Sequence, residues 1–134
     1  MAINLNSVTG AATEKLIALH GIGRWTAEAY LMGCEARTDV FPAADIALQE
    51  AIRILDGAPL RPSTAELYAR SELWRPYRSI AAHLLYAYYT GIKRNSIPMP
   101  PGVPPMMKPP SRKPKPATTK SRNIPNAREA AKPP

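Results

Sequence analysis

Between Leu16 and Ile92 the apolar positions recur every three or four residues, the spacing of helices that bury one face. Leu16, Ile17 and Leu19 follow Thr13, whose hydroxyl suits a helix cap, and predict a short first helix. His20-Gly21-Ile22-Gly23 interrupts it. A second helix, from about Arg24 to Cys34, carries Ala27, Tyr30, Leu31 and Cys34 on one stripe and Trp25, Ala29 and Met32 on another. After a loop holding Phe41-Pro42-Ala43-Ala44, Asp45 starts a third helix that runs to about Leu55. Its core positions are Leu48, Ala51, Ile52 and Leu55, and Gly57 and Pro59 close it. Ser63-Thr64-Ala65-Glu66 has the form of a capping box and opens a fourth helix. Pro76 fits the first turn of a fifth, which runs to about Ile92. No segment alternates as a strand does, so the predicted fold class is all-α, with about five helices.

Past Arg94 the pattern stops and the composition changes. Twelve of the sixteen prolines lie there. Residues 1–94 hold ten Lys/Arg and nine Asp/Glu, a net of +1; residues 95–134 hold eight and one, a net of +7, and the two make the +8 of the whole chain. A segment poor in apolar side chains and rich in proline and lysine cannot offset its ordering entropy by burial. The expected organisation is a helical domain over 1–94 and a disordered Pro/Lys-rich basic tail over 95–134.

Cys34 is the single cysteine, which excludes an intramolecular disulfide and a cysteine-rich zinc or iron–sulfur site. His20 and His83 lack the spacing of metal ligands, so no metal site is expected. No apolar run approaches the ~20 residues that span a bilayer, and the opening MAINLNS lacks the regions of a signal peptide. The expectation is a cytoplasmic protein with no membrane contact.

Two glycines one residue apart, Gly21 and Gly23, let the backbone turn sharply between two helices. They also leave amides uncovered at the start of the second helix, where dipole and N–H groups together suit a phosphate. The octapeptide from Leu16 to Gly23 fits an ordinary helix connection equally well.

Longer motifs separate these alternatives. Gly21-Ile22-Gly23-Arg24-Trp25-Thr26-Ala27-Glu28 resembles the hairpin of the DNA-3-methyladenine glycosylase II family, within the helix-hairpin-helix glycosylase superfamily. Asp39-Val40-Phe41-Pro42-Ala43-Ala44-Asp45 is similar to that family's loop before its catalytic aspartate. Trp74-Arg75-Pro76-Tyr77-Arg78-Ser79 resembles its next signature. The three stand in family order over roughly residues 13–93.

The resemblance implies a domain that excises alkylated bases such as 3-methyladenine from double-stranded DNA, near the nucleoid. It makes Asp45 the catalytic carboxylate, a residue that alone reads as well as a helix cap. It makes His20, Gly21, Ile22, Gly23 and Arg24 a DNA-binding hairpin. Trp25 stands where lyase-type cousins carry a nucleophilic lysine; a tryptophan forms no Schiff base, so monofunctional hydrolysis is implied. Trp25 and Tyr86 become walls of the base pocket, with Ala29 and Ile46 at positions where rings are absent. Arg75 and Arg78 are candidates for phosphate contact, and solvated or ion-paired side chains fit them equally well. No cofactor is implied beyond room for a monovalent cation at the hairpin carbonyls. Family members carry several helices ahead of this hairpin, whereas Met1 stands about twenty residues before Gly21. A truncated domain is therefore expected, and a DNA-binding fragment without catalysis or a degenerate copy stays open beside the enzyme.

Overall fold

The computed structural model describes the chain from Leu5 to Met107, with side chains from Val8 on. It is all-helical among the described residues: α1 (Leu5–Ile17), α2 (Arg24–Gly33), α3 (Ile46–Asp56), α4 (Thr64–Ser71), a 3-10 turn (Glu72–Trp74) and α5 (Arg78–Lys93). α1 packs on α2, and α3 packs along α5 as the central pair. Leu31 and Met32 from α2, Leu48, Ala51 and Ile52 from α3, Leu67 from α4, and Ala82 and Leu85 from α5 enclose the buried loop residues Val40, Phe41 and Ala43.

The helix ends follow local chemistry. Asp45 caps α3 through its side chain, and Gly57 at φ 63° closes that helix in the left-handed region where glycine is unstrained. Ser63 and Glu66 form the reciprocal capping box expected for α4. Three expectations change. α1 begins eight residues before Thr13, whose hydroxyl donates instead to the Thr9 carbonyl at 3.0 Å, one turn back in the same helix. Pro76 lies ahead of α5, which starts at Arg78 after a 3-10 turn. In α3, Leu55 is exposed while Glu50, Arg53 and Ile54 are buried.

The reason for the last change lies beyond Arg94. Residues 95–107 do not leave the domain; they run back over α5 and α3 and cover the polar side of α3. The placed chain thus extends past the expected boundary at Arg94. Residues 1–4 and 108–134 lie outside the described residues, and so does most of the expected disordered tail.

Candidate active site

The hairpin sets the start of α2. Gly21 takes φ +84°, a conformation that L side chains rarely adopt, and the Ile22 N–H donates to the Leu19 carbonyl at 3.2 Å. Gly23 is the N-cap in an extended conformation, and the first intrahelical bond runs from the Ala27 N–H to the Gly23 carbonyl at 3.0 Å. The amides of Arg24, Trp25 and Thr26 therefore precede the helical ladder and face outward from a dipole's positive end. His20 is exposed beside them, and Ile22 is half-buried.

The second and third motifs hold each other. Phe41 packs against Trp74 with ring centroids 5.4 Å apart. Ser79 Oγ accepts from the Val40 N–H and donates to the Val40 carbonyl, both at 3.0 Å. Asp39, only 2% exposed, receives Arg78 Nε at 2.6 Å and Arg75 Nη1 at 3.0 Å. Both arginines also reach Glu72, and Arg75 holds the Glu72 carboxyl below the usual carboxylate range. Arg75 and Arg78 are thus fixed on the loop's carboxylates. Of the two readings that fitted them equally, phosphate contact and ion pairing, the structure shows the ion pair: both neutralise a buried aspartate. Arg24 likewise leans on Glu14 at 3.1 Å.

That clasp delivers Asp45. Tight turns, from Ala43 N–H to the Phe41 carbonyl and from Asp45 N–H to the Pro42 carbonyl, both at 2.9 Å, bring the chain onto α3. Asp45 Oδ1 accepts from the Ala47 N–H at 2.7 Å, and its Oδ2 accepts from Trp25 Nε1 at 2.8 Å. Tyr86 completes the group from α5: burial first, then its hydrogen bond to Asp45, pushes its phenol well above the usual tyrosine range. Asp45, Trp25 and Tyr86 therefore meet in one place, with the carboxylate half-buried and the Trp25 ring 48% exposed. Ile46 stands exposed next to them and Ala29 is half-buried one turn along α2. Such an arrangement offers a fixed, oriented anion beside an accessible aromatic face.

Two buried polar groups escape a reading of the sequence. The Tyr68 hydroxyl lies 2.7 Å from both carboxylate oxygens of Glu28, linking α4 to α2. Burial raises the Glu28 carboxyl above its ordinary value, against the opposing pull of Tyr68 and Arg24. On α3, Arg53 and Glu50 form an ion pair at 2.9 Å with side chains 0% and 2% exposed. Their i, i+3 spacing was visible but looks like any surface pair. No group of three or more His, Cys, Asp or Glu able to hold a metal occurs among the described residues. No described helix is long and apolar enough to cross a membrane.

The chain is similar to DNA-repair glycosylases over about half its length. It is 37% identical over 73 residues to DNA-3-methyladenine glycosylase 1 of Schizosaccharomyces pombe, which covers 54% of this chain and 32% of that protein. It is 35% identical over 75 residues to the DNA-3-methyladenine glycosylase of Bacillus subtilis, covering 56% and 25%. It is 34% identical over 73 residues to the alkylbase DNA glycosidase-like protein mag2 of Schizosaccharomyces pombe, covering 54% and 34%. The matched stretch is similar to DNA-3-methyladenine glycosylases at 34–40% identity. The chain spans between 25% and 34% of the length of these relatives. No family profile matches it, and no solved structure gives a significant match.

Proposed function

We propose that this chain carries the catalytic carboxylate, the DNA-binding hairpin and part of the base pocket of a monofunctional alkylbase DNA glycosylase. The observation that carries the reading is the Asp45 carboxylate, held by the Ala47 N–H and the Trp25 indole at the head of α3. Breaking an N-glycosidic bond leaves positive charge on the sugar. An anion fixed near the anomeric carbon stabilises that charge without reorganising. Water then adds at the anomeric carbon, Asp45 takes its proton, and the bonding pair leaves with the base. A base such as 3-methyladenine is cationic in DNA and departs as a neutral molecule, leaving an abasic site. The exposed face of Trp25 and the half-buried ring of Tyr86 are the surfaces on which a flipped, cationic base would stack. The α2 amides that follow Gly23 are suited to a backbone phosphate of the same strand.

The test is release of free 3-methyladenine from methylated duplex DNA by the full chain. Release that borohydride does not convert to a covalent protein–DNA adduct supports hydrolysis by water. A trapped adduct contradicts the monofunctional reading, and absence of release under saturating protein contradicts the enzymatic one.

A further inference from the structure

The cap of α3 ties the Asp45 carboxylate to the first turn of its helix. The backbone that carries Asp45 is held by a residue one turn farther along. Gln49 is half-buried on α3. Its backbone N–H donates to the Asp45 carbonyl at 3.1 Å. Its side-chain Nε2 donates to the Ala43 carbonyl at 2.9 Å. Residues 43 and 45 are therefore both bonded to Gln49, and the exposed Ala44 alone lies between them.

Ala43 is 0% exposed, so a donor taken from its carbonyl would leave that oxygen stranded away from water. A carbonyl only accepts, which turns the NH2 end of the Gln49 amide toward it. The second hydrogen of that NH2 reaches Thr64 Oγ1, 3.3 Å away at the first residue of α4. Ser63 and Glu66 fix this helix start through their capping box. One amide thus joins the loop that delivers Asp45 to the first turns of both α3 and α4.

We infer that Gln49 is a positioning residue for base release, which rests on the reading of Asp45 as the catalytic carboxylate. Its amide holds the Ala43 carbonyl, and through it the loop, so that the Asp45 carboxylate keeps its place against the Trp25 indole N–H. The side chain acts through the loop backbone, and no proton of the reaction passes to it. Placement of this kind matters because a displacement of about 1 Å in a reacting group can lower a rate by about 100-fold.

Gln49→Met in the full chain keeps the length of the side chain and removes both donated hydrogens. The chain's two tryptophans give two indole N–H signals in a proton–nitrogen correlation spectrum, and Trp25→Phe assigns them. A bond to a carboxylate places the Trp25 proton downfield. In Gln49→Met this signal is expected to move upfield, while that of Trp74, whose ring packs on Phe41 at 5.4 Å, stays. Single-turnover release of 3-methyladenine at saturating protein should fall about tenfold or more, with the Kd for DNA unchanged. A residue that only stabilised the fold would lower the Tm and leave the Trp25 signal and the rate of the folded chain where they are. An unmoved Trp25 signal overturns the inference, as does an unchanged rate, or a Trp74 signal that moves with Trp25. Thr64→Val removes one anchor of the amide with Gln49 in place, and should move the Trp25 signal the same way by less. If Gln49→Met does not fold, Thr64→Val decides: a moved signal upholds the inference and an unmoved one overturns it. The spectrum requires no catalysis, so an upfield shift in Gln49→Met beside a wild type that releases no base sinks the enzymatic reading alone. Base release with an unmoved Trp25 signal sinks the positioning role alone.

Discussion

The indole N–H of Trp25 donates to Asp45 Oδ2 across 2.8 Å, so a ring and a carboxylate twenty residues apart in sequence share one site. This bond sets the direction of the carboxylate and is separate from the stacking proposed for the Trp25 ring. Substitution can tell the two roles apart. Asp45→Asn should cut single-turnover base release by about 100-fold or more, since a neutral amide stabilises no cation. Trp25→Phe keeps a ring and deletes the N–H. A hydrogen bond to a charged group contributes about 1.5–3 kcal/mol, so a loss of about 10- to 100-fold is expected. Trp25→Ala should lose more. Equal rates for wild type and Trp25→Phe would leave Trp25 with stacking only.

Arg78 is predicted to act on stability. Its guanidinium bonds Asp39 Oδ1 at 2.6 Å and the Asp39 carbonyl at 2.9 Å, with the carboxylate almost wholly buried. Arg78→Ala leaves Arg75 as the remaining cation on Asp39. The expected cost is about 2–3 kcal/mol in urea unfolding, the penalty of an under-satisfied buried charge. A double variant with Asp39→Asn should recover part of that loss. No loss in Arg78→Ala would mean that the clasp between the Asp39 loop and α5 does not hold the domain together.

The helices, their order and most of their ends were legible because apolar spacing and caps are local signals. Asp45 at a helix head and Gly21 at the hairpin follow from the same signals, and their conjunction with Trp25 came from the resemblance. What was not legible depends on pairs distant in sequence. For Arg75 and Arg78 phosphate contact and ion pairing fitted the sequence equally, and the ion pair rests on Asp39, 36 and 39 residues away. Leu55 fits the apolar stripe of α3, and only the return of residues 104–107 explains why Arg53 is buried instead. Composition assigned residues 95–107 to a disordered tail because a Pro/Lys-rich segment averaged over 95–134 has too little apolar surface to offset its ordering entropy. Hydrogen bonds to Gly91, Glu50 and Arg53 tie 95–107 down, and composition does not show them.

Glu28 gives a pH signature. Its folded-state carboxyl keeps a proton above the ordinary value of 4.5, chiefly because of burial. Between 4.5 and that raised value the folded chain binds more protons than the unfolded one. Stability from this group is therefore full below 4.5, falls as pH rises through the window, and stays lower above it. Glu66 and Glu72 are lowered and run the other way, so the comparison of variants isolates Glu28. Glu28→Gln, which can still accept from Tyr68, should raise the Tm at pH 7 more than at pH 4. An equal change at both pH values would show that Glu28 ionises freely.

The last prediction concerns exposed apolar side chains on α5 and in the turn that leads into it. Leu73, Tyr77, Ile80 and Leu84 follow one another at spacings of four, three and four residues and are 81%, 60%, 51% and 67% exposed. Ile80 and Leu84, four apart on α5, share one stripe, and Leu73 in the 3-10 turn and Tyr77 just ahead of α5 add to the exposed apolar set. Burying a side chain of this size contributes about 1.5–3 kcal/mol, so the stripe is a strong site for association. The chain in solution is expected to bind a hydrophobic dye and to grow in apparent size with concentration, as read by light scattering. Ile80→Gln with Leu84→Gln should reduce both signals. It should leave helix content unchanged, because both positions face away from the α3 contact, whose α5 side is formed by Ala82 and Leu85. Wild-type chain that stays monomeric at about 100 μM and binds no dye would show the stripe covered in solution.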